Sequence, residues 1–320
     1  MLKVAVQMDP LEKININGDS TFALMLEAQQ RGHRLFVYDV NRLSLQIDTK
    51  EKQVTAYGRD VTVQREEGNH AYFQEERKVQ LSDFDVILMR QDPPFDMGYI
   101  TATHILEHIH GVGSNKAFVV NNPCSVRNAP EKLFATLWPY IMPPTLISRD
   151  VKAIKAFREE YKDIIIKPLF GNGGLGVFRL KEDDENLNSL LELQFASSSE
   201  PLMIQRYEPA VVKGDKRIIL VDGEPIGAIN RVPQKGDLRS NMHVGGVAER
   251  IGLTPRDLEI CQAIGPTLKK EGLLFVGIDV LGEWLTEINV TSPTGLQELD
   301  RFDHINSAGL IWDAIESHLS

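Results

Sequence analysis

The arrangement of apolar runs changes partway along this chain, and that change limits the folds open to it. Up to about residue 122, short apolar runs at 4–8, 35–40, 84–89 and 117–120 alternate with helical stretches at Ser20–Gln30 and 99–110. Strands separated by helices pair in parallel through crossover connections. Asp19 or Ser20 supplies a cap for the first helix and Gly32 its stop. The polar stretch through Glu76 reads as hairpins or loops. Residues 1 to about 122 are therefore expected to form an open α/β domain, bounded by the turn cluster Asn121-Asn122-Pro123. Helices are expected next at 131–138 and Val151–Tyr161.

Beyond that point the apolar runs come in pairs. Runs at 164–167 and 176–180 flank a glycine loop, 186–193 has helical character, and 202–207 is a further strand. Runs at 217–221 and 225–230 flank Asp222-Gly223, a strong hairpin signal. Runs at 274–280 and 284–290 flank Gly282, with helices expected at 255–271 and 305–319. This part reads as antiparallel α+β.

Composition narrows the classes. The 320 residues exceed what one core usually serves, so two or three packed domains are expected. A formal net charge of -10 gives a global field that disfavours nucleic acid and anionic membrane. Cys124 and Cys261 form neither a disulfide framework nor a metal-ligand spacing. No apolar run reaches transmembrane length. The first residues read as a strand, without the apolar core and cleavage site of a signal peptide. A cytoplasmic protein is expected.

Gly171-Asn172-Gly173-Gly174-Leu175-Gly176 fits G-x-G-x-x-G. A dinucleotide site needs that loop to open a helix, and here a strand follows. The Gly-Lys-Ser/Thr ending of a P-loop is missing. A glycine loop between strands is instead a flap whose N–H groups can cover a triphosphate, although an unliganded hairpin has the same look. Lys167, at the end of the preceding strand, can reach phosphates as a point charge.

Asp279, Glu287 and Asn289 lie on two apolar strands, and Glu287 and Asn289 share a face. A three-residue loop at 282–284 would set Asp279 opposite Glu287. A two-residue loop would set it opposite Thr286 and break the cluster. Converging hard oxygens suit Mg²⁺; an exposed polar sheet face is the plainer reading. Arg217, Arg231 and Arg239, with Asn241 and Gly245-Gly246 close by, offer planar bidentate donors to phosphates and carboxylates, or are scattered surface arginines. Arg90 follows a parallel strand, where open α/β sheets bind ligands, so it is a candidate carboxylate anchor or a loop ion pair. His104, His108 and His110 read as one solvated helix face. No serine-hydrolase elbow is present.

These segments in order resemble the ATP-grasp superfamily and, more narrowly, the bacterial glutathione synthetases. The resemblance spans nearly the whole chain. It is carried by Met8-Asp9-Pro10, Met89-Arg90-Gln91-Asp92-Pro93-Pro94-Phe95-Asp96, Glu131-Lys132-Leu133 and Ile166-Lys167-Pro168 with the glycine loop. Further on it is carried by Gly214-Asp215-Lys216-Arg217, Phe275-Val276-Gly277-Ile278-Asp279 and Leu285 through Gly295. It implies an N-terminal pre-ATP-grasp substrate domain at 1–122, followed by a two-part ATP-grasp fold: a central subdomain with the flap at 123–200 and a C-terminal subdomain at 201–320.

The implied reaction is ATP-dependent joining of γ-glutamylcysteine to glycine through an acyl phosphate, with Mg²⁺ (or Mn²⁺) as cofactor, in a homo-oligomer. ATP would be held by Lys132, Lys167, the loop residues Gly171, Asn172, Gly173, Gly174, Leu175 and Gly176, the strand end Gln205, Tyr207 and Glu208, and Asp215. Arg217, Arg231 and Arg239 would be the catalytic cations. Ser20, Arg90, Asn241, Ser292 and Thr294 would hold the substrates, and Asp279, Glu287 and Asn289 the metal. Two residues depart from the family pattern: Phe170, where Asp is common before the loop, and Glu208, where an apolar residue is usual. Competing readings are a D-alanine-ligase-like or glutamate-adding ATP-grasp enzyme and a nucleotide-binding protein without catalysis.

Overall fold

A computed structural model describes residues 1–49, 51–171, 173–233 and 246–320. Its first sheet has seven strands, ordered Leu43–Ile47, Lys52–Val63, Arg34–Tyr38, Lys3–Gln7, Val86–Met89, Phe118–Val120, with Ala71–Gln80 also on Lys52–Val63. The four central strands are parallel and the outer additions antiparallel. The polar stretch expected to form hairpins or loops is thus built around one long strand pair. Lys3–Gln7 has Arg34–Tyr38 on one side and Val86–Met89 on the other, so strand order reverses around it. Such a reversal opens a crevice beyond the carboxyl ends of the strands. Asp9 and Arg90–Asp92 emerge there, tied by the Asp92 amide donating to Asp9 Oδ2 at 2.8 Å.

The helix Ser20–Gln30 has the predicted bounds, with the Asp19 carboxylate accepting from the Phe22 amide. The helix expected at 99–110 is Met97–Glu107, so His108 is its C-cap and His110 lies beyond it, accepting from the Val119 amide. The helix expected at 131–138 is a single α-turn, Glu131–Phe134, followed by 3₁₀ turns Ala135–Leu137 and Pro139–Ile141. Pro139 has no N–H to continue the ladder.

A four-stranded antiparallel sheet follows, ordered Phe178–Leu180, Ile164–Pro168, Leu202–Arg206, Thr145–Ser148. It has a core of its own, formed by Ile154, Ile164, Ile166, Leu180, Leu187, Leu191, Leu202 and Ile204. Strand Leu202–Arg206 pairs with both Ile164–Pro168 and Thr145–Ser148. Leu202–Arg206, past the expected division at residue 200, is thus an inner strand of this sheet.

The third sheet has five strands, Val247–Arg250, Glu224–Val232, Asp215–Val221, Phe275–Leu281 and Trp284–Asn289. The Asp222-Gly223 turn has positive φ at both residues, 50° and 85°, as a two-residue type I′ hairpin requires. Helix Pro255–Lys270 crosses directly over it; a Cβ on Gly223 would lie 2.6 Å from the Gly265 carbonyl. The final helix expected at 305–319 is Ser307–Leu319, and a further helix, Leu296–Asp303, precedes it.

The first and third sheets share their cores: Val4, Val6, Phe22 and Leu24 belong to one cluster with Ile219, Phe275, Leu296 and Trp312. Trp312 is fully buried and its Nε1 donates to the Leu24 carbonyl at 2.9 Å. It joins the two ends of the chain. Trp312→Ala is expected to cost about 3–5 kcal/mol of stability, read as a lowered urea midpoint.

Candidate functional site

One face of the third sheet carries a row of charges. The register sets Arg231 opposite Asp215, Arg217 opposite Asp279 and Asp279 opposite Glu287. Alternation along each strand then places all five side chains on one face. The Asp279–Glu287 pairing arises in an unexpected way. The hairpin loop has two residues, Gly282 and Glu283, because Leu281 pairs with Trp284 and Val280 with Leu285. A bulge at Thr286 then shifts the register by one and restores the pairing. Thr286 Oγ1 donates to the Asp279 carbonyl at 3.1 Å and so ties down the bulge.

Asp279 is the centre of the row. Arg217 donates to it from Nε at 2.5 Å and Nη2 at 3.0 Å, and Arg231 Nη2 lies 2.9 Å from its Oδ1. Gly277 makes room for this, since a Cβ there would meet Arg217 Cδ and Pro293 Cβ at 3.0 Å. Burial pushes the Asp279 carboxyl up, but the two guanidiniums outweigh it and hold the group well below the usual carboxylate range. Asp215 shifts the opposite way, up to about 6: burial is the larger effect, Arg231 opposes it, and the Asp279 charge adds to it. One carboxylate lies between two cations and the other shares one of them with a neighbouring anion.

The middle sheet faces this row across a cavity of about 490 Å³. Lys132 and Lys167 are both buried, each with Nζ 3.7 Å from Glu287 Oε1. Lys132 also donates to Glu131 Oε1 at 2.5 Å and to the Gly171 carbonyl at 2.6 Å. Burial lowers the Lys132 value, but Glu287 and Glu131 more than offset this and the net shift is upward. For Lys167 burial wins and the shift is downward. Lys167 is thus a buried cation whose ion pair with Glu287, at 3.7 Å, is too long for a hydrogen bond, which suits an anionic ligand. Glu287 accepts no hydrogen bond from a described residue.

Of the glycine loop, Gly171, Gly173, Gly174 and Leu175 line the cavity and Gly176 does not. Gly173, Gly174 and Gly176 have positive φ. Leu175 is 76% exposed. Gln205, Tyr207, Glu208 and Asp215 line the far end, with Ile165, Val211 and Leu281 as apolar walls. Gln205 Nε2 donates to Thr145 Oγ1 at 2.9 Å, and Glu208 accepts from Arg206 Nε and Nη2 at 2.8 and 2.6 Å. Ser292, Thr294 and Asn289 are also on the wall. Asn172, Arg239, Asn241 and Gly245 lie outside the described residues.

Arg90 and Ser20 do not reach the cavity wall. Arg90 is 5% exposed and donates to Thr21 Oγ1 at 3.0 Å and the Pro293 carbonyl at 2.9 Å. Ser292 Oγ donates to the Arg90 carbonyl at 3.3 Å, and the Leu296 amide donates to Ser20 Oγ at 3.3 Å. Both residues brace the 291–296 segment from behind, because the shared core draws the first sheet against it.

Several wall residues were not anticipated: Asp92, Pro93, Glu131, Thr286, Ile165, Val211 and Leu281. The apolar ones look like core in the sequence. Glu131, beside Lys132, was the legible signal that was passed over.

This layout, with a glycine loop, Lys167 on the strand before it and Lys132 on the turn Glu131–Phe134 facing a charged row on the next sheet, is the fold of ATP-grasp ligases. D-cycloserine synthetase DcsG superposes with a TM-score of 0.68 at 14% identity, covering 99% of this chain and all of that one. The ATP-grasp ligase PsnB superposes at 0.61 and 17%, covering 99% and 98%. Residues 2–127 match the family described as prokaryotic glutathione synthetase, N-terminal domain, and residues 131–304 its ATP-grasp domain. Glutathione synthetase of Mesorhizobium japonicum is 55% identical over 315 residues, covering 98% of both chains. That of Vibrio parahaemolyticus is 43% identical over 317 residues, covering 99% and 98%. The chain belongs to the prokaryotic glutathione synthetase family.

Glu131 supplies a titration test of this geometry. Burial first, then the charge of Glu287, raise its carboxyl to about 7 against the pull of Lys132. Between the usual 4.5 and about 7 the folded protein keeps a proton that the unfolded chain has released. Stability from this group is therefore full at low pH and falls as pH rises through that window. In nucleotide-free protein the stability of Glu131→Gln relative to wild type is expected to grow by about 1–3 kcal/mol from pH 5 to 8, measured by urea unfolding.

Proposed function

We propose that this cavity activates the cysteinyl carboxylate of γ-glutamylcysteine with ATP and delivers it to glycine, so that the chain is an ATP-dependent ligase making glutathione. The observation that carries the reading is Lys132 and Lys167 facing the Arg217–Asp279–Arg231 row across one cavity beneath a glycine loop. The family relationship, along nearly the full length, supports the substrate pair.

In this reading the apolar slot of Ile165, Val211 and Leu281 takes the adenine, and Gln205 to Glu208 offer it polar groups. Asp215 takes the ribose hydroxyls. Lys132, Lys167 and the glycine-loop N–H groups take the phosphates. Arg217 and Arg231, with Arg239, face the transferred phosphoryl group. Ser292, Thr294 and Asn241 meet the substrates, held from behind by Arg90 and Ser20. The first sheet and its helices serve as the substrate domain, and the second and third sheets enclose the nucleotide.

Asp279, Glu287 and Asn289 fit Mg²⁺ by their chemistry. They are two carboxylates and an amide, and Glu287 accepts no hydrogen bond from a described residue. Magnesium needs few protein oxygens and takes the rest from phosphate and water. Held by these residues, the ion would supply positive charge against the negative charge of the triphosphate.

An oxygen of the cysteinyl carboxylate attacks the γ-phosphorus, the bond to the bridging oxygen breaks, and ADP leaves. The glycine nitrogen, having lost its extra proton to solvent, attacks the acyl carbon. The C–O bond breaks, phosphate departs with that oxygen, and the nitrogen gives up a second proton to leave the peptide N–H. The cations spread the developing charge, and positioning supplies most of the remaining acceleration. Cys124 and Cys261 are unpaired, which suits a cytoplasmic setting. No helix among the described residues is long and apolar enough to cross a membrane. A homo-oligomer, as the resemblance implies, would show in sedimentation.

Purified protein given ATP, Mg²⁺, γ-glutamylcysteine and glycine is expected to form glutathione, followed by mass spectrometry, and to stop when any one is withheld. Product from another acid and amine, with none from this pair, would sink the reading. Glu287→Gln, which breaks no hydrogen bond among described residues, is expected to keep the melting temperature. It should raise the Mg²⁺ concentration for half-maximal rate by about 10–100-fold. An unchanged metal requirement would remove Glu287 from the metal site.

A further inference from the structure

Phe170, the residue that departs from the family pattern just before the glycine loop, makes a contact that the charge row does not use. Its ring stacks on Phe95, with centroids 6.4 Å apart and planes 22° apart. Phe95 in turn lies 5.3 Å from Tyr99, which is buried in the first turn of helix Met97–Glu107. The column Tyr99–Phe95–Phe170 therefore runs from the first domain to the root of the loop. Elsewhere the middle layer keeps a separate core, so an apolar link of this kind stands out.

Both ends of the stack adjoin the cavity. Asp92 and Pro93, just before Phe95, are on its wall, and so is Gly171, just after Phe170. The root of the loop is also anchored by the Lys132 ammonium, which donates to the Gly171 carbonyl. In the ligase reading Lys132 turns to phosphate when ATP binds, and that anchor weakens. The aromatic stack does not depend on charge and persists.

We infer that Phe170 is a positioning residue: stacked on Phe95, it holds the root of the glycine loop against the substrate loop, so that both cover the acyl phosphate together. This rests on the ligase reading above. The consequence is chemical. If the two loops part, water adds to the acyl carbon, the C–O bond to phosphate breaks, and free γ-glutamylcysteine and phosphate return. ATP is then spent without a peptide bond.

The test is the ratio of ADP to glutathione formed in one reaction by wild type, Phe170→Tyr, Phe170→Leu, Phe95→Leu and the double Leu variant. Wild type and Phe170→Tyr are expected to release one ADP per glutathione. Each Leu variant is expected to raise that ratio by about two- to tenfold, since the aromatic term is lost while bulk is kept. The double variant should be no worse than either single one, because both remove the same contact. If Phe170→Leu fails to fold, Phe95→Leu tests the same stack from the other side. Leu variants that slow the reaction while keeping one ADP per glutathione would overturn the inference and leave the stack a packing contact. Wild type that forms no glutathione would overturn the ligase reading, and this one with it.

Discussion

The rest of the site depends on Asp279 lying between two arginines. A carboxylate buried alone would pick up a proton, and a guanidinium buried alone would be destabilising by several kcal/mol. Together, Arg217, Asp279 and Arg231 keep their charges on a strand face that closes a cavity. Replacing the trio with apolar side chains would pack as well, and such swaps often stabilise a fold. The trio therefore makes sense as a preorganised field that needs no rearrangement when a phosphoryl group enters. Asp215 and Glu287 extend the row to either side, and Lys167 of the middle sheet with Lys132 of the turn Glu131–Phe134 complete it across the gap.

The way the layers are cored explains how one site can be both firm and open. The first and third sheets share apolar clusters, and Trp312 joins the chain's two ends. The 291–296 segment is held from behind by Arg90 and Ser20. The substrate side of the cavity is accordingly rigid. The middle sheet has its own small core and touches the site through Lys167 and the glycine loop. A layer with few shared apolar contacts is the natural moving part of a lid.

Much of this was legible in the sequence, and the rest failed for physical reasons. Ser20–Gln30 and Val151–Tyr161 were readable to the residue because side-chain caps, Asp19 and Asp150, mark their starts locally. The Asp222-Gly223 hairpin was readable because few residues tolerate two positive φ values in succession. The bulge at Thr286 was not, because a turn at Gly282 admits a two- or a three-residue loop and only the folded hairpin shows which one forms. The short helix Leu296–Asp303 was missed because Gly295 and no polar cap opens it. Arg90 was readable as important but its surroundings were not: only the folded chain shows its guanidinium bonded to Thr21 and Pro293 and 5.0 Å from the Phe275 ring. Ile165, Val211 and Leu281 read as core because an apolar ligand wall and a protein core have the same composition.

The most direct measurement of the account follows one oxygen atom. γ-Glutamylcysteine carrying ¹⁸O in its cysteinyl carboxylate is incubated with the protein, ATP, Mg²⁺ and glycine, and the released phosphate is weighed by mass spectrometry. If the charged row serves to let that carboxylate attack the γ-phosphorus, each phosphate carries one labelled oxygen for each glutathione formed. Glutathione formed alongside unlabelled phosphate would contradict the account, because the carboxylate would then never have been joined to the phosphoryl group.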